Sequence, residues 1–246
     1  NSYFGKGFAL INSKGDFVKA KLITANNVVA NLHNLDAFME GIVESLDKCG
    51  TFILENFYLA DMLNNRVFDF LYHEQPSAFS IKPVKLLMRR YGLSLYRTEY
   101  TTGRGGLMRY YCGYDKPEVE DDNPVLYERK TYDELAQRIE TERTKTRHFL
   151  SEIKSRGETI AGFGATVSAT GVIYHFGLGE YLKFLVDDTQ SKTGRFSPGL
   201  HLEVYPSSRM NEADYVVVFT WRLADILRTV HPEVKFVVPL PNFRVS

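Results

Sequence analysis

The sequence predicts an α/β fold in two parts, and three observations carry that prediction. Apolar, β-branched runs of strand length alternate with segments whose apolar residues recur at helical spacing. The first two such strands, 20–30 and 51–57, are joined by a helix through short links, which requires a right-handed crossover in a parallel sheet. The same alternation restarts after Thr159, beyond an acidic, proline-bearing run and one long charged helix. With 246 residues and 44% hydrophobic content, the chain can bury a sizeable core. The pattern divides it into a first domain over 1–115, a linker and long helix over 116–157, and a second domain over 158–246.

Residues 1–20 are poorly patterned and read as a weak helix or a loose lead-in. Asn34 caps a helix whose apolar residues Leu35, Phe38, Met39, Ile42, Val43 and Leu46 share one face, and Gly50 is its expected stop. A further helix starts at Ser80 or Ile81, with Pro83 near its first turn, and ends at Gly92. Segments 93–100 and 107–114 flank a glycine-bearing turn and read as a hairpin closing a sheet edge. The run 116–124, with Glu118, Glu120, Asp121 and Asp122, has almost nothing to bury and reads as a linker. Thr131 and Glu134 form a capping box for the long helix, which runs to about Arg156. Its apolar stripe, Leu135, Ile139, Phe149 and Ile153, is thin and suits a strut between domains. The second part then reads as strand 159–163, a helix from Gly164, strand 181–186, a loop to about Tyr205, strand 215–220, helix 221–230 and strand 235–238.

Lysine plus arginine equals aspartate plus glutamate, 30 each, so no chain-wide field draws in nucleic acid or an anionic membrane. A small-molecule or protein partner is expected instead. Cys49 and Cys112 stand far apart at no zinc or redox spacing, and read as core residues of a protein in a reducing cytoplasm. No run approaches the roughly 20 apolar residues of a membrane span, and the first residues lack a signal pattern, so the expected location is cytoplasmic. His33, His148, His175 and His231 form no metal spacing, and no metal is expected.

Three stretches could carry chemistry. Tyr72, His73 and Glu74 set a phenol, an imidazole and a carboxylate side by side between an apolar stretch and the loop-making Pro76 and Ser77. They read either as a proton-transfer site or as half-buried loop residues capping the sheet. Gly162-Phe163-Gly164-Ala165 follows a strand and opens a helix, with Asp187 and Asp188 ending the next strand. That is the outline of a dinucleotide fingerprint without its third glycine, since Gly171 comes too late. Lys192, Gly194, Arg195, Pro198, Gly199 and His201 lie on a loop beyond a strand's carboxyl end, and read either as a diphosphate loop or as an ordinary solvated one. The run Gly103-Arg104-Gly105-Gly106, leading to Arg109, reads as a hairpin turn before a phosphate loop.

Taken in order and spacing, these stretches resemble the SAM-dependent C-methyltransferases that act on nucleotide-linked keto-deoxysugars. The resemblance runs over nearly the whole chain. It rests on Asn27-Val28-Val29-Ala30 followed by Leu35-Asp36-Ala37-Phe38, on Phe68-Asp69-Phe70-Leu71-Tyr72-His73-Glu74, and on Gly105-Gly106 with Arg109. It continues through Gly162 to Ala165, Val186-Asp187-Asp188 with Lys192, Gly194, Pro198-Gly199 and His201, then Trp221 and the closing Val238-Pro239-Leu240-Pro241. The resemblance implies part of a class I methyltransferase (Rossmann-like) sheet followed by a second Rossmann-like domain that helps hold the nucleotide sugar. It implies S-adenosylmethionine as methyl donor, although the family's zinc cysteines and SAM loop lie upstream of the residues present. The start at Asn1, without Met, is read as a truncated or cleaved protein, or one whose missing strands come from another chain.

The resemblance also implies roles. Tyr72, His73 and Glu74 are the catalytic candidates; Asn27, Asn31, Gln75, Arg104, Arg109, Gly164, Lys192, Arg195 and His201 are the substrate-binding ones. Asn31, Gln75 and Arg104 stand where the family has histidines. An amide accepts no proton at neutral pH, so the usual general base is missing from its place. The expectation is a C-methyltransferase relative acting on a nucleotide-linked sugar. The alternative is a non-catalytic module of that descent that binds nucleotide sugar or serves assembly, and a third option is an NAD enzyme using Gly162 to Ala165.

Overall fold

The computed structural model describes residues 4–65, 67–101 and 106–246. The described chain forms two compact units. The first runs to Met62 and resumes over His73–Glu128, while the second takes Leu63–Tyr72 and Arg129–Ser246. The α/β class read from the sequence is the one observed.

The first unit opens with a small antiparallel ladder, β1 (Leu10–Ile11) and β2 (Phe17–Val18), where a loose lead-in or weak helix was expected. Asn12 makes the turn between them, its Oδ1 accepting the amides of Lys14 at 2.9 Å and Asp16 at 3.0 Å. Then β3 (Ala20–Asn26) pairs in parallel with β4 (Leu46–Phe57) across α1 (Leu35–Ser45). Asn34 caps α1 as expected, accepting the Ala37 amide at 2.9 Å. Gly50 is not its stop. The helix ends at Ser45, and Gly50 lies within β4, where an added Cβ would stand 2.8 Å from the Ala20 carbonyl oxygen. That close approach falls at the register shift between Ala20 and Leu22.

α2 (Leu59–Asn64) follows β4, and α3 (Ile81–Arg90) leads to the hairpin of β5 (Ser94–Thr101) and β6 (Leu107–Gly113). The sheet order is β3-β4-β6-β5, with β6 antiparallel to both its neighbours. One face carries the core: Phe52, Leu54 and Tyr110 pack with Met39 and Ile42 of α1 and Met88 of α3, each burial contributing roughly 1.5–3 kcal/mol. Cys112 belongs to this core and burial pushes its thiol pKa up, but Cys49 is exposed, on the stretch of β4 between the paired residues Leu46 and Thr51. The acidic run read as a linker ties back to α3, with Asp122 accepting the Ile81 amide at 2.7 Å and Lys85 donating to Asp121 at 2.7 Å.

In the second unit, α4 (Arg129–Ser155) supplies Ile139, Leu150 and Ile153 to the core, so the stripe read as thin is a packed face. After it come β7 (Ile160–Phe163), α5 (Val167–Phe176), β8 (Phe184–Val186), β9 (Val204–Tyr205), β10 (Tyr215–Val218), α6 (Ala224–Val230), β11 (Phe236–Val238) and β12 (Arg244–Val245). The order is β12-β11-β10-β7-β8-β9, parallel throughout except for β12. The chain winds outward from β7 through β8 and β9, then returns to build β10 and β11 on the other side. That reversal beside β7 is a topological switch point, the usual place for ligands in open parallel sheets. Short β9 lies at the end of the stretch read as a loop. Among the described residues no helix is long and apolar enough to cross a membrane.

Candidate functional site

The turn from β7 into α5 is shaped by packing. Gly164 has φ +100°, and a Cβ there would stand 2.8 Å from Thr220 Cγ2; one on Gly162 would meet Leu185 and Phe219 at 2.7 Å. Asp187, at the end of β8, accepts the amides of Ala165 at 2.8 Å and Thr189 at 2.9 Å, and the Lys192 ammonium at 2.9 Å. Burial alone would raise this carboxyl's pKa; the donors from Thr189, Lys192 and Ala165 outweigh it and hold the pKa below the ordinary aspartate range. The carboxylate that would grip a ribose is therefore spent on the turn itself, and the Ala165 amide that would meet a phosphate is taken. The dinucleotide outline does not fit an NAD site here.

Beyond that turn lies a cavity of about 220 Å³ with a mainly apolar wall that includes Val167, Ile173, Leu185 and Phe196. Lys192 and Arg195 also line it, beside Thr166, which caps α5 by accepting the Ala169 amide at 3.1 Å. Lys192 is engaged with Asp187, whereas the exposed Arg195 guanidinium has no ion-pair partner among the described residues. Of the predicted residues, Lys192 and Arg195 thus meet at one cavity, and Gly164 sits just ahead of its rim. His201 is exposed, at φ +52°, and does not line the cavity.

Tyr72 is half-buried at the end of the short segment Leu63–Tyr72 that belongs to the second unit. His73 and Glu74 begin the chain's return to the first unit, and both are exposed. His73 Nε2 and Glu74 Oε1 are 3.9 Å apart, beyond hydrogen-bond reach. Gln75 is half-buried and Asn31 exposed, and the Ser77 amide donates to the Ala30 carbonyl at 3.3 Å. The chain just after Gln75 therefore lies against the turn that carries Asn31.

Asn27 follows β3 at φ +53°, its amide donating to the Glu55 carbonyl at 2.7 Å, with its side-chain oxygen buried and without a partner among the described residues. Arg109 on β6 pairs with Glu55 of β4 and lies 3.6 Å from Glu99 of β5, so it ties strands together on the sheet face. Arg104 lies outside the described residues.

Three polar residues near the carboxyl end of β4 or the far end of β5 escaped the sequence reading. Asn56 is 1% exposed, and neither atom of its amide has a hydrogen-bond partner among the described residues. Asp61 has its pKa raised by burial, with Tyr100 close by opposing that shift through a hydrogen bond, and Gly106 packs tightly on its Oδ2. Buried polar atoms without partners are rare, and here they gather where parallel strands end. The readable signal was Glu55-Asn56 closing the apolar run Phe52-Ile53-Leu54.

In the segment ahead of Tyr72, Asp69 is held by the second unit. Trp221 Nε1 donates to its Oδ2 at 3.2 Å, and Arg222 Nη1 at 3.5 Å. Burial raises the Asp69 pKa and lowers that of Arg222, each against the pull of the other's charge.

A family model described as the C-methyltransferase C-terminal domain matches residues 117–241. The chain is also similar to the C-methyltransferase NovU of Streptomyces niveus, 26% identical over 245 residues that cover 92% of this chain and 58% of the relative. It thus spans somewhat more than half the length of that relative.

Proposed function

We propose, starting from the fact that the chain belongs to the C-methyltransferase family, that it holds a nucleotide-linked keto-deoxysugar and supplies the acid–base groups for its C-methylation. One observation carries the reading: the cavity between α5 and the 192–198 loop pairs an apolar wall with the unpaired Arg195 cation. A nucleotide diphosphate has the complementary make-up, a flat base for the wall and two anionic groups for the cation. Lys192, Gly164 and His201 complete the proposed nucleotide set; Asn27, Asn31, Gln75, Arg104 and Arg109 remain proposals for the sugar.

Methylation beside a ketone first needs a carbanion. In the proposed step His73 or Glu74 takes the α-proton, the C–H pair becomes an enolate, and the Tyr72 phenol donates a hydrogen bond to the enolate oxygen. The enolate carbon is then the nucleophile. S-adenosylmethionine is the methyl donor that family membership implies. The glycine turn does not fit it, because Ala165 and its acid Asp187 are bonded to each other.

Calorimetry on the 246-residue chain tests this. Heat is expected with a dTDP-linked sugar and none with S-adenosylmethionine, and Arg195→Glu is expected to weaken the sugar nucleotide about tenfold, or about 1.4 kcal/mol. Micromolar binding of S-adenosylmethionine, or indifference to Arg195→Glu, overturns it. A second reading, a binding or assembly module without catalysis, is favoured by amides at Asn31 and Gln75 and by the open His73–Glu74 pair. Solvent deuterium entering the α-carbon of a bound keto sugar supports the enzyme; binding without exchange supports the module.

A further inference from the structure

Phe68, Asp69 and Phe70 precede the proposed acid–base residues, yet nothing in the proposed chemistry uses them. Each is held by the second unit. Phe68 meets the His175 ring edge-on at 4.8 Å between centroids and Phe176 at 5.8 Å. Asp69 accepts from Trp221 and Arg222, and its side chain is only 2% exposed. The Arg222 guanidinium lies 4.1 Å from the Phe70 ring and 4.0 Å from that of Trp221. The Leu71 amide closes a turn on the Phe68 carbonyl at 2.8 Å, and Tyr72 follows at once.

The ion pair at the centre is poorly made for stability alone. Asp69 Oδ1 and Arg222 Nε and Nη2 are buried with no partner among the described residues, and the two groups are not engaged as a bidentate pair. Apolar side chains of similar volume would stabilise such a spot as well or better, and a buried polar pair makes more sense where it fixes one arrangement. We infer that Asp69 is a positioning residue: gripped by Trp221 and Arg222, it fixes the 68–72 segment and with it the place of the Tyr72 phenol.

This rests on the acid–base role proposed for Tyr72, and the test separates the two. Trp221 is the chain's single tryptophan, so its emission reports the Asp69 contact directly. In the full chain, Asp69→Ala is expected to shift that emission to longer wavelength and to speed amide exchange over 68–72 at least tenfold, with β7 and β10 still protected. Asp69→Asn, which keeps an acceptor for the indole, is expected to recover most of both signals. Trp221→Phe, which keeps a ring for Arg222, is expected to loosen the same segment if Asp69→Ala does not fold. Unchanged exchange in Asp69→Ala and Trp221→Phe, or equal loosening of the whole unit, overturns the anchor.

In assays of solvent deuterium exchange into the α-carbon of a bound keto sugar, Asp69→Ala is expected to lower the exchange rate about tenfold at constant affinity, and to add nothing to Tyr72→Phe. Additive losses overturn the positioning role even where the segment loosens. A full α-carbon exchange rate in Tyr72→Phe instead overturns the acid–base reading, with the amide exchange data still deciding the anchor.

Discussion

Two aspartates of the second unit are almost fully buried and both lie near strand ends or turns, yet their surroundings differ. Asp187 accepts two backbone amides and an ammonium, and its pKa falls below the ordinary range. Asp69 accepts two longer bonds on one oxygen, leaves the other unpaired, and has its pKa raised by burial. The same carboxylate is in one place the centre of a satisfied turn and in the other a grip that costs part of its own desolvation. A glycine-turn motif that suggests a ligand can thus be complete without one, while an unremarkable Phe-Asp-Phe triplet carries the unfinished polar group.

The comparison predicts unequal losses. Asp187→Ala strands the Ala165 and Thr189 amides and the Lys192 charge, and is expected to destabilise the second unit by about 3 kcal/mol in urea unfolding. Asp69→Ala is expected to cost about half as much, and equal losses would break the contrast. Next in size are the turn glycines. Gly164→Ala, at φ +100° and against Thr220, is expected to cost about 2 kcal/mol, whereas Gly171→Ala, inside α5 with open space beside it, is expected to gain about 0.5–1 kcal/mol. A neutral Gly164→Ala would return the turn to ligand binding as its explanation.

The pH responses should have opposite signs. Asp187, lowered in the folded state, adds stability that is full above the unfolded value of about 3.9 and is lost as pH falls through the folded one. Asp69, raised in the folded state, adds stability that is full below about 3.9 and is lost as pH rises through its folded value. Replacing each by Asn should flatten its own limb of the stability–pH curve and leave the other. The smallest effect belongs to the exposed pair: His73→Ala or Glu74→Gln should change stability by no more than about 0.5 kcal/mol, so any large loss of the proposed α-carbon proton exchange there is chemistry and not folding.

Much of the fold was legible in local pattern. The Asn34 cap, the crossover from β3 to β4, the 93–114 hairpin and the renewed parallel sheet after Thr159 all follow from spacing and turn residues. Gly50 was misread because a helix stop and a close-approach glycine in a strand look alike without the facing Ala20 carbonyl. The two-residue strands β1, β2, β9 and β12 are too short to show alternation. Within the candidate site, the meeting of Lys192 and Arg195 at one cavity was readable from their shared loop, but the capture of Lys192 by Asp187 was not. Asn56 was marked only by its place after an apolar run, a pattern that is ordinary until its burial is known, and Asp61 not even by that.

By itself the sequence determined what nearest neighbours in the chain dictate: caps, strand and helix periods, the order of elements, and the motifs that carry the family resemblance. Tertiary structure alone decided which polar groups satisfy one another. Asp69 meets Trp221 across 152 positions of sequence, and Asp187 reaches back 22 to Ala165. Pairing at such separations depends on which side chains burial brings together and deprives of water, and no local periodicity encodes that.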